Sequence, residues 1–176
     1  MKPVSMHVFG TTFHDLMGIG IRYAQRGATP YHVGAMFLME DGTQIGFEAS
    51  MGKDGWIEFP FLEKSKHYIG NSNRMQGRTI AVMRIPLSQN QTETLFIEAK
   101  RMKTSVKSYP GKLMMISMLL HQRRGWPMRK TKDIPTCSEG IAQLLYKVGI
   151  DLRDEKNDIF DNLSPSEVWV NLKNKI

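Results

Sequence analysis

The sequence predicts an α+β fold in which helices pack a small antiparallel sheet. Three observations lead there. A helical pattern at Phe13, Leu16, Met17 and Ile21 comes first. Between His32 and Ile85 the chain then carries short runs of strand character, broken by turn residues such as Asp41-Gly42. From Ser88 onward, apolar residues recur at helical spacing behind capping residues, so elements of both kinds alternate along one chain.

The first helix has Gly27 as its stop, and Gly18 and Gly20 lower its propensity. Strands follow at roughly His32 to Met39, Thr43 to Ser50, Gly55 to Phe59 and Arg78 to Ile85. Pro86 ends the last of these. Ser88 caps a long helix reaching to about Ser108, whose buried face holds Leu95, Ala99, Met102 and Val106. Tyr109, Pro110 and Gly111 turn the chain into a second helix over Lys112 to Gln122. A third helix begins near Cys137 and a fourth near Ser164. Repeats, low-complexity tracts and linkers are not evident.

A chain of 176 residues supports one core, so a single domain over 1–176 is expected. MKPVSMHVFG has no secretory signal pattern, and the longest apolar run, LMMISMLL from Leu113, is too short to span a bilayer. A soluble, cytoplasmic protein is expected. Cys137 is the one cysteine, which rules out an internal disulfide and leaves a thiol free for chemistry. The 13 methionines are accounted for as core filling.

The net charge of +7 is unevenly placed. Lys100, Arg101, Lys103, Lys107, Lys112, Arg123, Arg124, Arg129, Lys130 and Lys132 follow one another with no acid between them. Such a stretch projects a positive face towards an anionic surface, a polyanion or solvent.

PTCSE reads as a helix start. Thr136 is a good N-cap, Glu139 completes a capping box, and Ile141, Leu144, Leu145 and Val148 form the buried stripe before Gly149. Cys137 is then the first helical residue, where unpaired amides and the helix dipole lower a thiol pKa from about 8.5 and where an exposed sulfur is expected.

The candidate base is His32. Around Asp41-Gly42, the odd positions Val33, Ala35, Phe37, Ile45, Phe47 and Ala49 are apolar and core-facing, which turns His32, Gly34, Met36, Gln44, Gly46 and Glu48 the other way. Odd must then pair with odd, which a two-residue turn does not give; a three- or five-residue connection, or a bulge, does. The five-residue case sets Glu48 directly opposite His32, with Gly34 and Gly46 leaving that face open. Thiol, imidazole and carboxylate together form the pattern of nucleophilic cysteine catalysis.

These residues also resemble a family. IRYAQRGATPYHVGAMFLMEDGTQIGFEA is similar to the helix, His-Val-Gly strand and Glu-Ala strand of YiiX/YaeF-type permuted NlpC-like cysteine peptidases. PTCSEGIAQLL and LSPSEVW resemble their cysteine helix and closing helix. The order histidine, acid, cysteine marks a circular permutation of the papain-like arrangement and is shared with the lecithin:retinol acyltransferase group. The resemblance implies a circularly permuted papain-like fold with His32 as base, Glu48 as orienting residue and Cys137 as nucleophile.

The activity so implied is acyl transfer on amide or ester bonds of a peptide, a cell-wall peptide or a lipid. The Cys137 N–H is one oxyanion donor, the second is unassigned, and Tyr31 lies beside the site as a substrate-binding candidate. No cofactor or metal is expected, since His7, His14, His67 and His121 lack ligand spacing with Cys137 and no phosphate-binding glycine motif occurs. The alternative is an inactive papain-like scaffold that binds nucleic acid or another polyanion through the basic helices. Tyr109 and Trp126 permit stacking, but without a nucleic-acid motif specific nucleic-acid binding is not expected.

Overall fold

Pro3–Thr12 (β1), His32–Met39 (β2), Gln44–Ala49 (β3), Trp56–Pro60 (β4) and Thr79–Ile85 (β5) form one antiparallel sheet in the order β4-β3-β2-β1-β5. Gln89–Ser105 (α1), Cys137–Tyr146 (α2) and Pro165–Lys175 (α3) complete the described elements. These come from a computed structural model that describes residues 1–12, 23, 28–49, 55–61, 79–106, 136–153 and 163–176. The α+β class is therefore as expected. The helices expected at Phe13 to Ile21 and Lys112 to Gln122 lie outside the described residues, as do His14, His67, His121, Tyr109, Trp126 and the basic stretch from Lys107 onward. No helix among the described residues is long and apolar enough to cross a membrane.

The four expected strands form, but a fifth, β1, which the sequence pattern does not mark, stands between β2 and β5. Met6 and Val8 point into the main core and Phe9 into a second cluster on the opposite face. A strand buried on both faces lacks the plain apolar-polar alternation that marks a half-exposed one, which is why it escapes a period-2 reading.

The main core lies between the sheet and the helices. Val33, Ala35, Phe37, Phe47 and Ala49 line it, as the odd-position argument requires. Phe96 of α1 packs edge-on against Phe37 and Phe47, with ring centroids 5.2 and 6.0 Å away. Burying a ring of this kind stabilises the fold by about 1.5–3 kcal/mol. The other helices close the same face: α2 lies against β2 and β3, and α3 against β2 and α2.

The even face is not open. Phe9, Met36, Phe59 and Phe61 form a second buried cluster there. A Cβ on Gly34 would stand 2.2 Å from Phe9 Cζ, and one on Gly46 would stand 2.5 Å from the Phe59 ring. These glycines make room for aromatic rings; they do not clear a path to solvent.

The helix starts are locally encoded. Ser88, Thr136 and Ser164 each accept from the N3 amide while the N3 side chain returns the bond, three complete capping boxes. Helix α1 stops at Ser105, short of Ser108, because Val106 leaves helical geometry and its carbonyl accepts from Trp56 N–H at 3.1 Å, tying the helix end to β4.

Candidate active site

The hairpin between β2 and β3 sets the register of the site. Its connection is the three-residue case: Met39 N–H donates to Thr43 O at 2.8 Å, Gly42 N–H donates to Met39 O at 3.0 Å, and Gly42 has φ +82°. The positive φ is the reason for glycine there. Asp41 holds the turn by accepting from Thr43 N–H at 3.0 Å and Thr43 Oγ1 at 2.8 Å. The ladder then pairs Leu38 with Gln44, Phe37 with Ile45 and Ala35 with Phe47. Like parity therefore pairs as expected.

The direct opposition of His32 and Glu48 does not occur. Continuing the register places Glu48 opposite Gly34, so His32 is its diagonal neighbour. A diagonal separation of about 7–8 Å is within reach of two long side chains. His32 Nε2 and Glu48 Oε2 meet at 3.0 Å, with Glu48 almost fully buried and the His32 side chain 16% exposed.

Cys137 reaches the same place from α2. Thr136 Oγ1 accepts from Glu139 N–H at 3.3 Å, and Glu139 Oε2 accepts from Thr136 N–H at 3.3 Å. The box holds Cys137 as the first helical residue, and its side chain hydrogen bonds with His32. With Nε2 on Glu48, Nδ1 is the nitrogen left for the sulfur. Two residues beyond the last β2–β3 pair, the Val33 backbone amide also donates to the sulfur, as does the Ser138 amide of the helix start.

The thiol is less open than a helix-start position implies. Cys137 keeps only 7% exposure, because α2 lies down on β2 and Trp56 covers Gly140 one turn along. Burial alone would favour neutral groups. It depresses the His32 imidazolium, but the charges of Cys137 and Glu48 and their hydrogen bonds outweigh it and raise the ring's pKa to about 10. It pushes the Cys137 thiol up, but the His32 imidazolium and the Val33 and Ser138 amides hold that thiol below its ordinary range. The consistent state is thiolate, imidazolium and carboxylate in a row.

Tyr31 is buried next to His32 in sequence, and its N–H donates to Thr11 O at 2.9 Å. The Val33 and Ser138 amides escape a reading by residue type, since a backbone N–H carries no side-chain signal. Among the described residues no group of three or more His, Cys, Asp and Glu side chains is placed to hold a metal ion. No protein-family model matches the chain, and no curated protein matches it.

Proposed function

We propose that the chain is a cysteine-dependent hydrolase or acyltransferase that cleaves amide or ester bonds through Cys137, His32 and Glu48. The observation that carries this reading is the continuous contact from carboxylate to imidazole to buried sulfur. In the first half of the reaction the Cys137 thiolate attacks a carbonyl carbon, and His32 Nδ1 gives its proton to the departing amine or alcohol. Glu48 keeps the ring oriented and stabilises its positive charge. An acyl acceptor then resolves the thioester, and the α2 N-terminus supplies backbone donors for the developing oxyanion. The fold reading that accompanies this is a circularly permuted papain-like domain, supported by the order His32, Glu48, Cys137 along the chain.

Polyanion binding through the basic stretch draws less support from its described members. Arg101 is held by Glu98 at 2.8 and 2.6 Å, Lys103 by Glu58 at 2.8 Å, and Lys100 lies 4.8 Å over the Phe96 ring. A panel of thiol-directed activity probes bearing peptide or acyl groups tests the catalytic reading. Wild type is expected to label with at least one class and Cys137→Ser with none. Equal labelling of both would sink the proposal.

A further inference from the structure

Thr11 lies directly opposite His32 in the β1–β2 ladder, on the face of the sheet that carries the His32–Glu48 pair. Cross-strand Cβ atoms are about 5 Å apart in such a pair. Thr11 is completely buried, and its Oγ1 has no hydrogen-bond partner among the described residues. A buried hydroxyl left unpaired is costly, and valine fills the same volume without one. A polar atom at such a position calls for an explanation, and a catalytic role or a bound water is among those that supply one. The strands β1 and β3 flank β2 on opposite sides. Glu48 takes Nε2 from the β3 side, and Thr11 neighbours His32 from the β1 side.

We infer that Thr11 Oγ1 holds the acyl acceptor, water in the hydrolytic case, against His32 while the acyl-enzyme breaks down; the inference rests on the hydrolase reading of the same site. The water oxygen bonds to the thioester carbon and its proton passes to Nδ1. The carbon–sulfur bond breaks and its electron pair returns to sulfur. A carboxylic acid leaves and the thiolate–imidazolium pair is restored. Thr11 can accept a hydrogen bond from the water or donate to it, which fixes the water while Nδ1 takes its proton.

The test uses p-nitrophenyl acetate as a small activated ester, with intact-protein mass spectrometry following the acetyl group on Cys137. Wild type is expected to acquire one acetyl group and lose it. Thr11→Val should acquire it at the wild-type rate and lose it about tenfold more slowly, the effect of one missing hydrogen bond. Thr11→Ser, which keeps the hydroxyl, should recover most of the wild-type loss rate, an outcome that a packing role would not produce. Equal loss rates for wild type and Thr11→Val overturn the proposal, and so does slower acquisition with unchanged loss. A wild-type protein that acquires no more acetyl than Cys137→Ser overturns the hydrolase reading itself and this inference with it.

Discussion

Glu48 touches His32 across a diagonal of the β2–β3 ladder, not across a rung, and the intervening position on that face is Gly34. The carboxylate therefore reaches Nε2 from one side while Nδ1 is left for Cys137 on the other. A charge held in this geometry does more than orient the ring, because it stabilises the imidazolium that the thiolate needs.

Replacing Glu48 with glutamine separates those two roles. The amide oxygen still accepts a hydrogen bond from Nε2–H, but the negative charge is gone. The His32 pKa is expected to fall and the thiolate share with it. Iodoacetamide should alkylate Glu48→Gln about tenfold more slowly than wild type in mildly acidic buffer, in proportion to a lost charge-assisted bond of about 1.5 kcal/mol. An unchanged rate would remove Glu48 from the site's chemistry.

The same pair shapes stability against pH. His32 has a raised folded pKa, so its contribution is complete below the ordinary 6.5 and is lost as pH climbs through about 10. Cys137 has a lowered one, so its contribution is complete above the ordinary 9.0 and is lost as pH falls through the folded value. Between 6.5 and 9.0 the two slopes oppose each other, since one proton has only moved from sulfur to ring. Wild-type urea midpoints should be flat from this pair across that window and should fall above it. In Cys137→Ala burial opposes the charged ring and the largest of the charges that raise its pKa is gone, so the fall above 9.0 should shrink or vanish. Parallel profiles for the two proteins would contradict the ion pair.

What the sequence made legible was local. Thr136, Glu139 and Ser88 signal their helix starts through bonds formed within four residues, and the parity of Val33 to Ala49 follows from which side chains are apolar. What it hid was set by distant partners. The central place of β1 depends on Phe9 finding Phe59 and Phe61, and the burial of Cys137 depends on Trp56 lying over Gly140. The choice between a three- and a five-residue turn shifts Glu48 by two positions against His32, and both satisfy the same parity.

Gly34 and Gly46 both give space to an aromatic ring, but they should differ in tolerance. The three atoms nearest an alanine Cβ at Gly46 all belong to the Phe59 side chain, which stands at 2.5 Å and can rotate away. At Gly34 it meets Phe9 at 2.2 Å and also the Phe47 carbonyl oxygen at 2.8 Å, which belongs to the ladder itself. Gly34→Ala is expected to destabilise by about 3 kcal/mol or more, and Gly46→Ala by about 1 kcal/mol, within the range of overpacked cores. Denaturant midpoints that rank the two the other way would show that the Phe9 side of the sheet is the softer one.

Thr136 links the fold to the chemistry most directly. Its Oγ1 accepts from Glu139 N–H and lies 3.2 Å from Ser138 Oγ, with all three residues buried. Thr136→Ala removes the cap and leaves the Ser138 hydroxyl without this partner, which should cost about 1–2 kcal/mol of stability. Thr136→Ser keeps the oxygen and should cost less. The loss is not confined to stability, because the first turn of α2 sets the position of Cys137 and of the Ser138 amide that supports its thiolate. Under conditions where the variant is fully folded by circular dichroism, alkylation of Thr136→Ala in mildly acidic buffer should be several-fold slower than wild type. Thr136→Ser should lie between them. A variant that loses stability yet alkylates at the full rate would mean that the thiolate is held by His32 and Val33 without help from the helix start.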